Sequence, residues 1–487
     1  MSTLDSLNLD NRYAQLPQRF FQFKAPERLR LPGYLVGLST DTARLLGLDP
    51  CQLNEDQLVR IMTGHASLPG SEPLAMKYAG HQFGYYNPDL GDGRGLLLGE
   101  VTTAGQEHWE LHLKGAGQTA FSRFGDGRAV LRSSIREFLG SEALHHLGIP
   151  TTRALAVVMT GESVRREQLE PGATLLRVTP SHLRFGHFEH FYYRQDHEGQ
   201  QALLDFALQN YFPELLSTAE PAAELFAEVM QRTARLVAHW QALGFCHGVL
   251  NTDNMSLLGE TLDYGPFAFL DFYQPGLVAN HSDDRGRYAF EHQPDIVQWN
   301  LACLAQSLIK LAPVEALKDS LQRFPGLYQK AYRERLSQRL GLDPVADWPL
   351  VKDFLSLCEK GRLDWTQLLR LLAEQRLEEA EALMKEPAMA VSREAVDAWL
   401  LAWEERTGHY FATKQQRQQL LESRNPWVLP RTHLLQKAIE AAEGGDFSEV
   451  ERQLAIFKQP FDASQRQPGD WESPPVDKQC LSLSCSS

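Results

Sequence analysis

Along the chain the spacing of apolar residues changes character twice. Residues 75–115 are glycine-rich and carry short apolar runs. "GLLLGEVTT" and "EHWELHLKG" are bounded by turn formers, and "WELHLK" alternates with the two-residue period of a half-buried strand. "RAVLRSSIREFLGSEALHHLG" then takes up helical spacing and stops at Gly148 ahead of Ile149-Pro150, a common helix terminus. Strand patterns return in "TRALAVVM" and "ATLLRVT". From about residue 203 helices dominate. "PAAELFAEVMQRTARLVAHWQALG" has Pro221 near its start and Gly244 at its end, and sets Val229, Thr233, Leu236, Val237, Trp240 and Leu243 on one face. "DIVQWNLACLAQSLIKLA" is a second amphipathic helix, and beyond about residue 315 the pattern is almost wholly helical. The stretch from Gln465 is polar, holds Pro468, Pro474 and Pro475, ends "CLSLSCSS" and reads as a flexible tail. No repeat of fixed period interrupts this order. Strands first and helices afterwards predict an α+β fold.

A chain of 487 residues is too long for one ordinary core, so two or three structural units are expected. The formal charge of −14 argues against general nucleic-acid binding, which needs a basic surface, but leaves room for a local basic pocket. Apolar runs such as "ALAVVM" fall well short of the roughly 18–20 residues that cross a bilayer, so no membrane partner is expected. The opening "MSTLDSLNLDNRYAQ" has early acids and no apolar core, unlike a secretory or transit segment. Six cysteines without a C-x-x-C argue against a disulfide framework or zinc ribbon and suit a reducing cytoplasm.

Chemistry concentrates around "FCHGVLNTDNM", residues 245–255. Set against the protein-kinase catalytic loop H-R-D-x-x-x-x-N, it offers His247, Gly248 for Arg, Val249 for the catalytic Asp, and Asn254 for the metal-holding Asn. Valine cannot accept a proton. Asp253, beside Asn254, is a candidate replacement base, although "NTDN" is also good turn chemistry. In "LDYGPFAFLDF", Asp263 precedes an aromatic and a glycine as in the D-F-G element, whereas Asp271 lacks the glycine, so Asp263 is preferred. Asn254 and Asp263 offer two oxygen ligands, a set suited to Mg²⁺ or Mn²⁺. Upstream, "NPDLGDGRGLLLGE" groups Gly91, Gly93, Gly95 and Gly99 around Asp92 and Arg94. It reads as a hairpin turn or as a glycine-rich phosphate loop. Lys114 closes a strand, where a kinase-like fold places its phosphate-contacting lysine. Glu137, with Glu142 as competitor, lies on the following helix where that lysine's partner is expected.

Taken together, "YAGHQFG", "LGDGRG", "LKGAGQTAFSRFGDGRAVLRSSIREFL", "TPSHLRFGHFE", "HGVLNTDNM", "DYGPFAFLD", "NHSDDRGRYAF", "QWNLACLA" and the terminal "CSS" resemble the selenoprotein O family over nearly the whole chain. The resemblance implies a two-lobed kinase-like fold that binds ATP in a flipped orientation. It also implies transfer of AMP to Ser, Thr or Tyr hydroxyls of target proteins, with release of pyrophosphate. Carried onto this chain, it makes Asp253 the base, Asn254 and Asp263 the metal ligands, and Lys114, oriented by Glu137, a phosphate contact. Gly91, Gly93, Arg94, Asp126, Gly127, Arg177 and Arg184 complete the nucleotide site. Arginine forks suit an α-phosphate and a leaving pyrophosphate, but residues alone would make Arg177 and Arg184 surface ion-pair partners.

The expected division is an extension (1–74), an N-lobe (75–200), a C-lobe with the catalytic loop (201–345), a helical region (346–464) and the tail (465–487). Many animal members carry selenocysteine near the C-terminus; here Cys480 and Cys485 stand in the tail, as redox-active thiols or as unstructured bystanders. The alternatives kept open are a uridylyltransferase using UTP, an orthodox kinase, disfavoured by Val249, and an inert ATP-binding scaffold.

Overall fold

A computed structural model describes residues 3–385, 391–467, 469, 470 and 483. Its first half is built on one antiparallel sheet. The strands are β1 (Phe21–Phe23), β2 (Tyr34–Leu38), β3 (Leu74–Met76), β6 (Gly95–Thr102), β7 (His108–Lys114), β8 (Ala129–Val130), β9 (Arg153–Arg165) and β10 (Leu169–Thr179). A separate hairpin, β4 (Gly80–Gln82) with β5 (Tyr85–Asn87), leaves the sheet between β3 and β6. The strand order is β1-β3-β6-β7-β10-β9-β2, with β8 against β10. Residues before 75 thus supply both outermost strands of this path.

The runs that alternate in sequence alternate in space. Leu96 and Leu98 enter a core on one sheet face with helices α1 (Thr40–Leu45) and α2 (Glu55–Met62). Leu97 and Leu175 enter the other core, beneath α3 (Leu131–His146). Both faces are therefore buried, which is why "GLLLG" is a continuous apolar run.

The Asp92-Gly93 pair is not a hairpin turn. It ends the excursion that carries β4 and β5, and Asp92 is buried, accepting hydrogen bonds from Met76 N at 3.0 Å and Tyr78 OH at 3.3 Å. A turn aspartate would face water, so burial of its carboxylate overrides the local Asp-Gly preference.

Helices α4 (Phe185–Tyr193), α5 (His197–Tyr211) and α6 (Pro221–Leu243) follow. The apolar face foreseen on α6 is buried in full, and Gly244 ends the helix at φ 78°. Next come the short paired strands β11 (Phe245–Cys246) and β12 (Ala268–Phe269), then α7 (Gln293–Leu308) and α8 (Val314–Leu340). Further helices run to Phe457, with their own core around Trp365, Trp399 and Trp403.

The fold is α+β, and among the described residues no helix is long and apolar enough to cross a membrane. The described cysteines, Cys51, Cys246, Cys303 and Cys358, are free. Cys480 and Cys485 lie outside the described residues, whereas Leu483 between them is buried and its carbonyl accepts from His281 N at 2.8 Å.

Candidate active site

A chain of buried ion pairs connects the sheet to the segment after the catalytic loop. Lys114 ends β7, where its side chain meets α3, and Nζ lies 2.5 Å from Glu137 Oε2. The other Glu137 oxygen takes Arg177 Nε, on the neighbouring strand β10, also at 2.5 Å. Arg177 continues to Asp263, whose second oxygen pairs with Arg184 at the N-cap of α4. Arg184 also donates to the Asp253 carbonyl at 2.8 Å and stacks on Tyr78, 4.8 Å from the ring centre. Glu142, the competitor of Glu137, is committed elsewhere: Arg153 and Ser39 hold it. Burial opposes ionisation of both Glu137 and Asp263, but Arg177 with Lys114, and Arg177 with Arg184, outweigh it and hold both carboxylates ionised. Asp263 takes φ 56°, a left-handed conformation that Asp tolerates better than most residues.

The stretch that resembles the kinase loop runs on from β11, before β12. α7 fixes it: Gln293 accepts from His247 N at 2.8 Å, and Asn300 donates to the Leu250 carbonyl at 3.0 Å. His247 is buried and bonds the Leu262 carbonyl at 3.0 Å, tying this loop to the Asp263 segment. Val249 occupies the cavity wall. Asp253 sits on a single 3-10 turn (Thr252–Asn254), 7% exposed. Gln82 donates to its Oδ2 at 3.2 Å, while Oδ1 has no hydrogen-bond partner. Burial pushes its carboxyl up to about 7 against the pull of Arg184. A desolvated carboxylate with one free oxygen is equipped to take a proton.

These groups face one cavity of about 860 Å³. Gly91, Gly93, Arg94, Lys114, Asp126, Gly127, Glu137, Arg177, Arg184, Asp253, Asn254 and Asp263 all line it. Asp271 does not. The wall carries Arg94, Lys114, Arg123, Arg128, Arg165, Arg166, Arg177 and Arg184 against five carboxylates, in a chain of net charge −14. Positive charge is thus concentrated on this wall, a local field suited to a polyphosphate. Arg94 makes no side-chain ion pair among the described residues, and burial lowers its pKa. Burial lowers Lys114 too, aided by Arg94 and Arg177, though Glu137 pulls the other way.

Gly91, at φ 144°, lies so close to Phe121 that a Cβ would stand 2.6 Å from its ring. Gly127, at φ 72°, abuts the Gly117 backbone. Backbone can therefore approach the cavity where side chains cannot. Asp126 is held at the rim by Arg166 at 2.7 Å and by Arg128 N at 2.9 Å.

The family profile described as protein adenylyltransferase SelO matches residues 3–458. Relatives from Chromohalobacter salexigens and Ectopseudomonas mendocina are each 47% identical over all of this chain, covering 98% and 100% of those proteins. One from Pseudomonas fluorescens is 48% identical over the full length of both. All three are named protein nucleotidyltransferase YdiU. The chain belongs to the SelO family. Membership makes it an enzyme of the nucleotidyltransferase class.

In this SelO-family chain several groups that shape the cavity carry no signal in the sequence. Gln82 and Phe83 come from the β4–β5 hairpin, which packs on the catalytic loop: His81 N donates to Thr252 Oγ1 at 2.7 Å and Phe83 N to Tyr288 OH at 2.8 Å. "YAGHQFG" carries that hairpin, but nothing in its spacing announces a contact across some 170 positions. Asn251, which accepts from Tyr288 OH at 2.6 Å, and the rim arginines Arg123, Arg128, Arg165 and Arg166 also shape it, and in sequence they look like ordinary loop and strand-end polar residues.

Asn254 and Asp263 offer the oxygen donors on this cavity wall that a divalent cation would need. Asn254 donates Nδ2 to the Val249 carbonyl at 3.1 Å, leaving Oδ1 without a protein partner among the described residues. Asp263 adds anionic oxygens that share their lone pairs with Arg177 and Arg184. No cluster of three or more His, Cys, Asp or Glu ligands occurs among the described residues. Two oxygen donors fit a hard cation completed by phosphate oxygens and water.

Proposed function

We propose that the chain is a metal-dependent protein adenylyltransferase with a two-lobed, protein-kinase-like architecture, transferring AMP from ATP to Ser, Thr or Tyr hydroxyls of target proteins. In this reading residues 75–200 and 201–345 are the lobes, 1–74 an extension, 346–464 added helices and 465–487 a tail. The observation that carries it is the position of Asp253. This carboxylate has a free, desolvated oxygen and faces a cation-walled cavity in which valine stands at the kinase base position.

The acceptor oxygen attacks the α-phosphorus as Asp253 takes its proton. The bond from that phosphorus to the bridging oxygen breaks, and pyrophosphate departs with the electron pair. Negative charge grows on the phosphate oxygens and the leaving group. Arg94, Lys114, Arg177 and Arg184 are already in place to stabilise it, so little reorganisation is needed during reaction. Glu137 aligns Lys114 and Arg177. A divalent cation held by Asn254 and Asp263 would screen phosphate charge and act as a Lewis acid.

The test is intact-mass analysis of the protein and co-incubated acceptors after reaction with equimolar ATP and UTP plus Mg²⁺ or Mn²⁺. An adduct of AMP is expected. A predominant UMP adduct would favour uridylylation, a phosphate adduct would restore the kinase reading, and no adduct would leave the scaffold.

A further inference from the structure

A second cavity, about 310 Å³, opens where the C-terminal ends of α3 and α6 meet α8. Its lining includes three guanidinium groups, Arg335, Arg339 and Arg424, and two imidazoles, His146 and His239, but no carboxylate. Neither Arg335 nor Arg424 forms an ion pair among the described residues. Arg339 is 4% exposed. It donates Nε to Asn425 Oδ1 at 3.0 Å and Nη1 to the Ala242 carbonyl at 2.5 Å, which leaves Nη2 buried without a partner. His239, 8% exposed, keeps Nδ1 unpartnered. His146 has an acidic neighbour, Asp41 at 3.4 Å, but Lys458 already holds that carboxylate at 2.8 Å.

Cations at helix C-termini have an ordinary explanation, and Arg339 on the Ala242 carbonyl illustrates it. The charge does not close, however. Two helix ends present roughly one negative charge together, against three guanidiniums. Burial and the neighbouring Arg424 disfavour the charge on Arg335 more than Glu334 favours it, and burial disfavours that on Arg339 despite Tyr332. Arg339 is the costly member, since it is buried and stacks on Trp365 but keeps Nη2 unpaired, and an anion in the cavity would complete it.

We propose that this cavity is a second anion site, which takes a small phosphate-bearing ligand distinct from the nucleotide of the first cavity. Arginine forks match phosphate oxygens, and the volume is at the small end for ligand cavities. Free phosphate, pyrophosphate and a nucleoside monophosphate share this chemistry. A bound anion would tie α3, which bears Glu137, to the end of α6, which leads into the catalytic loop.

The test is calorimetric titration of the full chain with orthophosphate, pyrophosphate and AMP separately. The parent is compared with Arg424→Glu, Arg335→Ala and Arg94→Ala, a control in the first cavity. For at least one probe, Arg424→Glu and Arg335→Ala should weaken one class of sites by about tenfold or more, the loss of a charge-assisted contact. Arg94→Ala should spare that class. The tightest probe names the source of the phosphate. Arg424 is exposed, so its variant tests the site even if Arg335→Ala disturbs folding. Isotherms unchanged by Arg424→Glu, loss of all binding in Arg94→Ala, or no binding of any probe would overturn the proposal.

Discussion

Asp253 and Asp263 border the same cavity, yet their surroundings drive their protonation in opposite directions. Burial raises Asp253, whereas Arg177 and Arg184 hold Asp263 ionised. Separated carboxylates of this kind mark a division of labour. Asp253→Ala should keep ATP affinity close to parental while transfer falls by roughly 10²–10⁴-fold, the usual contribution of a positioned base. Asp263→Ala should lose metal-dependent binding as well, since it removes an oxygen ligand and leaves two buried arginines without their shared partner. Binding calorimetry beside initial rates checks both; parental behaviour of both variants would show the site is misplaced. At this scale the sequence was informative where neighbours in space are neighbours in the chain. "NTDN" puts Asp253 beside Asn254, and the kinase spacing exposes Val249. Arg177 and Arg184 were opaque to residue chemistry alone, because an arginine ending a strand or preceding a helix is usually a solvated ion pair. Only the family resemblance pointed to them.

Among the elements, the β4–β5 hairpin sets the position of Asp253. Gly80 packs so closely that a Cβ would stand 2.7 Å from Asp253 Oδ1 and 3.0 Å from its backbone N. Gly80→Ala should displace the turn and lower transfer by about 10²-fold while the cooperative unfolding transition persists. Activity at the parental level would show that the turn accommodates the methyl group. The long periodic elements were readable in advance: β6, β7, α3 and α6 lie where apolar spacing puts them. The hairpin was not, because three-residue strands carry too little pattern and this one is held by contacts to a loop distant in sequence.

β7 offers a separate check. Burial, reinforced by Glu100, raises Glu110 from 4.5 to about 8, although His182 N at 2.7 Å and Tyr211 OH at 3.1 Å donate to it. The folded state therefore holds a proton that the unfolded chain releases. That contribution is complete below the unfolded pKa and is lost as pH rises through about 8. Glu110→Gln should gain thermal stability relative to the parent between about pH 5 and about pH 9. A difference that does not change with pH would mean that Glu110 is ionised throughout.

Over the whole molecule, a chain of net charge −14 gathers seven arginines and one lysine around one cavity of about 860 Å³ and sets a carboxylate with an unpartnered oxygen among them. The excess of acids argues against general nucleic-acid binding, but composition gives no hint of where the basic residues meet. That depends on β7, α3, β10 and α4 converging, which is a property of the topology. The central claim is that this assembly directs a hydroxyl at the α-phosphorus and not the γ-phosphorus. The most direct measurement is parallel incubation with α-labelled and γ-labelled ATP, with Mg²⁺ or Mn²⁺, following label on protein in the parent and in Asp253→Ala. Label from α-labelled ATP alone, lost in Asp253→Ala, is the predicted result. Protein label from γ-labelled ATP without label from the α position would contradict it.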